Sequence, residues 1–303
     1  MRGLDIKPSE YTHELGSITD REFVDHCMPG VRVVHHTATL HKPHVATHNK
    51  QDFIDTNVSG TLTLLESAIR NGVGAFVFTS TTSVFGNALL PSTGSPAIWV
   101  TEELRPVPKN IYGVTKAAAE DLCELMHRKH GLNCIVLRTS RFFPEEDDDP
   151  TARVAFSDEN LKANEFLFRR VDVSDVVEAH LHAAEKVREI GFNKYIVSAT
   201  TPFSEDDLSA LRVDPVAVVE RYVPGFQRVY RDRDWKLHKS IDRVYVNAAA
   251  RRDLGWEPVC NFAAILKNTV NGQGALSPLA QAIGTKGYHE QAFIDGPYPT
   301  ESE

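Results

Sequence analysis

The feature that most constrains the fold of this chain is an alternation that recurs along it. Short apolar runs rich in β-branched residues are each followed by a longer stretch with apolar residues at helical spacing. The runs fall at residues 31–36 (VRVVHH), 75–79 (AFVFT), 134–139 (CIVLRT) and 194–198 (KYIVS). Helical patterns lie near residues 20–28, 53–71, 111–130 and 174–187. Near-continuous apolar strands separated by helices predict βαβ units, hence an α/β fold with a doubly wound parallel sheet covered on both faces. Gly72, Gly74 and Gly131 stand where left-handed helix ends are expected. Beyond residue 198 the pattern gives way to Pro-containing and charged segments (TPFSEDDL, RYVPGF, RDRDW), which predicts a smaller C-terminal lobe.

Composition narrows the partners. With 303 residues and 42% hydrophobic content the chain can bury a substantial core. Its net charge of −8 offers no basic surface for nucleic acid or an anionic membrane, so a small-molecule substrate is the expected partner. No run approaches the ~20 apolar residues of a membrane span, and the opening MRGLDIKPSE lacks the apolar core of a signal peptide. A cytoplasmic location is the expectation. Cys27, Cys123, Cys134 and Cys260 form no CxxC pair or zinc spacing and read as buried free thiols.

The chemistry centres on Tyr112 and Lys116 in IYGVTK, which share a helix face about one turn apart. A free phenol titrates near 10, and an ammonium beside it favours the phenolate by Coulomb attraction. Such a tyrosine serves as an acid or base near neutral pH. Upstream, FVFTSTTSVFG ends a strand in a run of hydroxyls, one of which could hold a substrate oxygen beside the phenol. Against this stand two bland readings, a Tyr and a Lys on an ordinary amphipathic helix, and a hydroxyl-rich strand end satisfying its own turn.

Several segments, in order, give the chain its resemblance to the extended short-chain dehydrogenase/reductase family of the NAD-dependent epimerase/dehydratase type. Val34, His36 and Ala38 resemble the family's VxHxA strand, and the stretch from Asn57 to Leu65 its NVxGTxxLL helix start. FVFTSTTSVFG and IYGVTK resemble its hydroxyl-bearing strand and YxxxK pair. VDVSDV at 171–176 and VNAAARRDLGWEP at 246–258 resemble two later signatures. The resemblance spans roughly residues 5 to 266.

The resemblance implies a Rossmann-like sheet at residues 1–143 and 169–200 that binds NAD, NADP being the less expected cofactor, and a substrate lobe at 144–168 and 201–303. By position it makes Tyr112 the general acid/base, Lys116 its electrostatic partner and a contact of the nicotinamide ribose, and Thr81 the catalytic hydroxyl, with Ser80 and Thr82 as fallbacks. Asp5 falls at the adenosine-ribose position, where a carboxylate disfavours a 2′-phosphate. Ile18, His36, Thr37, Ala38, Thr39, Asn57, Ser80 and Thr139 complete the cofactor positions. His36 is expected to pack rather than to donate a proton, and Asn57 to support the site. Thr82, Ser83 and Arg141 are the substrate-side candidates, the arginine suited to a phosphate or carboxylate. Relatives commonly dimerise through two helices, here 53–71 and 111–130.

The family's dehydratases carry an Asp-Glu pair just after the catalytic threonine, and its decarboxylases a glutamate one residue later. Here those places hold Thr82 and Ser83. A hydroxyl is poorly matched in pKa to expelling water, so dehydration is disfavoured and epimerisation or net ketone/alcohol oxidoreduction is expected. The family also opens on a strand and a GxxGxxG turn that grips the pyrophosphate. No such turn stands near Met1, so the sequence is expected either to start late relative to the natural gene product or to be a degenerate relative. Gly272 and Gly274 are expected to form only a turn. His41, His44 and His48 are read as a loop over the cofactor cleft and not a metal site, and residues 145–149 (EEDDD) as a solvated loop. The competing class is a scaffold or sensor that keeps the fold without turnover.

Overall fold

The computed structural model describes residues 1–285, 287–289, 293, 296, 298 and 299. The chain divides into two compact units. One comprises Met1–Gly86, Pro108–Arg138 and His180–Tyr195, the other Asn87–Val107, Thr139–Ala179 and Ile196–Glu303.

In chain order the first unit opens with β1 (Leu4–Asp5) and β2 (Glu14–Leu15), which pair in parallel as a separate two-stranded ladder. Helix α1 (Arg21–Cys27) follows, its first turn capped by Asp20 accepting from the Phe23 N–H. Strand β3 (Val33–His36) pairs in parallel with β4 (Ala75–Thr81), which runs beside β6 (Cys134–Thr139) and then β7 (Phe192–Val197). Apart from Thr79, β4 is buried throughout, and β6 is buried without exception. That is the burial a strand acquires when helices cover both faces of the sheet. The observed architecture is α/β and Rossmann-like, with strands at or near the predicted positions.

One predicted helix turned out to be three pieces. Residues 53–71 were expected to form a single helix; instead α2 (Lys50–Phe53) passes into a π-helical turn at Ile54–Ser59 and then into α3 (Gly60–Arg70). The Gly60 N–H reaches back to the Asp55 carbonyl, the wider spacing of a π-turn. Gly60 also has to be small, because a Cβ there would lie 2.7 Å from the Ile18 side chain. The long helix α4 (Ile111–His130) has its predicted extent: Asn110 accepts from the Gly113 N–H at 3.0 Å, and Gly131, at φ 69°, ends it in the left-handed conformation. Val24, Leu65, Phe76, Phe78, Ala119, Cys123 and Val136 form the core of this unit.

In the second unit β5 (Ile98–Val100) pairs in parallel with β8 (Arg243–Tyr245). Helices α5 (Pro150–Ala155) and α6 (Asp158–Glu165) follow β6 in the chain, and α7 (Val173–Ile190) starts here and ends in the first unit's share. The core gathers Phe166, Phe168, Leu211, Val219, Phe226 and Phe262. The VDVSDV and LGW segments meet: the Asp175 carboxylate accepts the Val259 and Cys260 N–H groups, both at 3.0 Å, and the Trp256 indole donates to the Asp175 carbonyl.

The acidic run 145–149 is not the solvated loop expected of it. Glu145, Asp147 and Asp148 are buried, because Arg141 supplies the counter-charge, 2.5 Å from Asp147 and 3.6 Å from Asp148, while Arg153 donates to the Asp147 carbonyl. Asp149 caps α5. The four cysteines carry no disulfide; three are buried and Cys260 is partly so. Among the described residues no group of three or more His, Cys, Asp or Glu is placed to hold a metal ion, and no helix is long and apolar enough to cross a membrane.

Candidate active site

The candidate site grows from the contact between the end of β4 and the start of α4. Thr81 closes β4 and caps the short 3-10 turn Thr82–Val84, accepting the Ser83 N–H at 3.1 Å. Helix α4 presses directly on that turn. A Cβ on Gly113 would fall 2.8 Å from the Ser83 carbonyl oxygen and 3.1 Å from Pro108, so only glycine permits the approach. With the backbones this close, the Thr81 hydroxyl is near enough to the Tyr112 phenol to favour its ionised form. Both residues are nearly buried, at 8% and 9% exposure.

Lys116 lies one turn along the same helix and is buried. Its ammonium donates to the Thr79 carbonyl at 2.6 Å and sits 4.0 Å from the centroid of the Phe78 ring. Burial lowers its pKa to about 7, with Glu120 pulling the other way. The phenol departs from expectation. Burial pushes Tyr112 up to about 12, and the neighbouring Thr81 hydroxyl offsets only part of that. The anticipated acidification by Lys116 is absent because desolvation of the phenolate outweighs it and the ammonium is directed at the strand carbonyl.

The remaining cofactor-side positions fall into three groups. His36 is fully packed between Phe76 and Phe78, shares a 2.8 Å hydrogen bond with the Thr61 hydroxyl, and is depressed to about 3 by burial and by Lys116, so it is neutral. Asn57 is a clamp. Its amide oxygen accepts from the Leu40 N–H and the Thr39 hydroxyl, and its NH2 donates to the Leu40 carbonyl and the Thr115 hydroxyl, tying the segment after β3 to α4. Ser80 donates to the buried Glu120 carboxylate at 2.6 Å, and Glu120 also receives the Arg138 guanidinium at 2.7 Å. Thr37 and Ala38 are exposed just past the carboxyl end of β3, Asp5 is exposed on β1, and Ile18 is buried against α3. Thr82 is buried and Ser83 partly so.

Thr139 and Arg141 belong to the second unit. There Arg141 is held by Asp147, Asp148 and Glu165; burial opposes its charge, but the three carboxylates prevail and keep it protonated. An anionic substrate group would have to compete with those carboxylates for it.

Two residues given no part at the phenol by the sequence are Glu120, on α4 itself, and His41, in the segment after β3. Glu120 carries no motif and is found only once β4 and β6 flank α4. His41 packs edge to face on Tyr112, ring centroids 6.4 Å apart. In the sequence HKPHVATH reads as a loop over the cofactor cleft, without a partner for His41.

The NAD-dependent epimerase/dehydratase family model matches residues 4–197. The chain belongs to that family. Within the family, it is 30% identical to a dTDP-glucose 4,6-dehydratase of Streptomyces antibioticus over 84% of this chain and 74% of that protein. It is 27% identical to a UDP-glucose 4-epimerase of Rhizobium meliloti, over 85% and 82% respectively. In three dimensions the family fold is clear: a short-chain dehydrogenase/reductase superfamily protein from Agrobacterium tumefaciens, solved with bound NAD, superposes with a TM-score of 0.60 at 20% identity, covering 89% of this chain and 90% of the other.

Proposed function

We propose that this member of the family is an NAD-dependent epimerase or oxidoreductase acting on a sugar nucleotide, or a similar hydroxyl/ketone substrate, with Tyr112 as the acid/base. The observation that carries the reading is the buried Tyr112 phenol beside the Thr81 hydroxyl, on the helix that also buries Lys116. A hydroxyl beside the phenol can bond a substrate oxygen there, and the phenol then exchanges one proton with it. The relatives' sugar-nucleotide substrates support the substrate class. Thr82 and Ser83, in place of an acidic pair, leave elimination of water without its acid and base, which favours epimerisation or oxidoreduction over dehydration.

The residues suit a nicotinamide dinucleotide. The Lys116 ammonium has three N–H donors, and the Thr79 carbonyl takes one, which leaves donors for a ribose. Thr37, Ala38 and Thr39 lie outside the carboxyl end of β3, where such sheets bind ligands, with Ile18, Asn57, Ser80 and Thr139 as the further cofactor positions. The exposed Asp5 carboxylate favours NAD over NADP by repelling a 2′-phosphate. Bound there, the cofactor supplies the hydride acceptor or donor. Residues 1–143 and 169–200 are assigned to cofactor binding and the rest to the substrate lobe, with homodimerisation through α3 and α4 part of the same proposal.

Calorimetric titration with NAD+ and NADH, followed by an assay of UDP- and dTDP-sugars for epimerisation or NAD-linked oxidation, tests the reading. Saturable binding with turnover is expected. Binding without turnover would favour a small-molecule-binding scaffold, and no binding up to millimolar concentration would end the enzyme reading for this chain.

A further inference from the structure

Three residues spaced one turn apart on α4 meet three consecutive residues at the end of β4. Tyr112 lies beside Thr81, the Lys116 ammonium donates to the Thr79 carbonyl at 2.6 Å, and the Glu120 carboxylate accepts from the Ser80 hydroxyl at 2.6 Å. Tyr112 and Lys116 belong to the proposed chemistry. Glu120 has no part in it so far, yet it is buried and both its oxygens are engaged. Arg138 donates through Nε at 3.1 and 3.2 Å and through a terminal nitrogen at 2.7 Å.

Lys116 is the group this arrangement explains. Its side chain is buried, and its ammonium meets a neutral carbonyl and, at 4.0 Å, the face of the Phe78 ring. Neutral partners alone do not repay the desolvation of a buried charge, so a negative charge has to stand nearby. On α4 the groups facing Lys116 are Tyr112 one turn back, Glu120 one turn on, and the Cys123 thiol; on β3 it is His36, which is neutral. From β6 and β7 come two cations, Arg138 and Lys194, and both lie against Glu120, at 2.7 and 3.9 Å. Lys194 also faces Asp121 and Glu124. Burial takes the Lys116 pKa down to about 7, and Glu120 is the strongest of the charges that hold it up.

We propose that Glu120 is a positioning residue of the site: its buried carboxylate supplies the negative charge that lets Lys116 stay an ammonium inside the protein, and through Ser80 it fixes the end of β4 against α4. The proposal rests on Lys116 serving as the electrostatic partner of Tyr112. Arg138 aims the carboxylate, and the Ser80 bond keeps the adjoining Thr79 carbonyl and Thr81 hydroxyl in register with Lys116 and Tyr112. Without that charge Lys116 would shed its proton at a lower pH. The neutral amine left behind would neither favour the phenolate by charge nor donate as strongly to a ribose.

The test needs neither substrate nor cofactor, so its failure is separable from a failure to find turnover. With lysine labelled by 13C at Cε, the Lys116 signal is the one lost in Lys116→Arg, and its shift against pH reads the ammonium. Glu120→Gln keeps the shape and an oxygen for Ser80 but not the charge, and should move that titration down by at least about one pH unit. Glu120→Asp, which keeps the charge, should leave it within about half a unit of wild type. If the glutamine variant does not fold, Glu120→Gln combined with Arg138→Met leaves neither partner of the ion pair charged alone and should move Lys116 the same way. A Lys116 titration unmoved in the folded neutral variant, or moved as far in Glu120→Asp as in Glu120→Gln, would overturn the assignment.

Discussion

At the scale of single residues, Tyr112 and His36 carry opposite expectations. Tyr112→Phe removes one hydroxyl and leaves the ring, so NAD affinity should stay within about twofold of wild type while any turnover falls by at least about a hundredfold. Calorimetry on the variant beside a coupled assay reads both, and undiminished turnover would remove Tyr112 from its role. His36 bears on stability. Its folded pKa of about 3 lies below its ordinary 6.5, so between those values the unfolded chain binds a proton that the folded chain does not. Stability is therefore expected to fall as the pH drops from 6.5 towards 3, by up to roughly 1.4 kcal/mol per unit from this group. Urea melts across that window should show a shallower pH slope in His36→Gln, and an identical slope would count against the assignment. Asn57 shows what the sequence conveyed at this scale: the NVxGT match singled it out, but that its amide locks the 39–40 segment to Thr115 depends on residues 58 positions apart.

At the scale of elements, the closeness of α4 to the end of β4 rests on one missing side chain and one buried ion pair. Gly113→Ala places a methyl against the Ser83 carbonyl, where backbone has to move. We expect a loss of about 1–3 kcal/mol in stability and a weakened Tyr112–Thr81 contact, read as a lowered Tm together with reduced turnover. Glu120 and Arg138, both nearly inaccessible, pair α4 with β6. Glu120→Ala leaves the guanidinium buried without its partner and should cost about 3–5 kcal/mol in a denaturant melt. A cost under about 1 kcal/mol would show that water reaches Arg138 readily. The extent of α4 was legible because Asn110, the apolar spacing and Gly131 are local signals. The π-turn at Ile54–Ser59 was not, since the helical period passes through it almost unbroken and the interruption shows only in which carbonyl the Gly60 N–H finds.

At the scale of the whole molecule, a ligand that binds only the folded state should raise its stability by RT ln(1 + [L]/Kd), about 2.7 kcal/mol at a hundred times Kd. NAD+ is accordingly expected to raise Tm in a concentration-dependent way, and NADP+ less so if Asp5 meets the ribose. Equal shifts would remove the case for Asp5. Sequence alone was sufficient for the α/β class, the order of strands and helices, and Tyr112 and Lys116 on one helix face, because periodicity, caps and motif spacing act over a few residues. Tertiary structure decided the rest. Whether the phenol is raised or lowered depends on how much water burial removes, and Asp147 and Asp148 lie buried where Arg141 supplies their counter-charge. His41 meets Tyr112 only because the segment after β3 folds back to α4. Solvation and charge pairing are summed over neighbours distant in the chain, so no local window of sequence contains them.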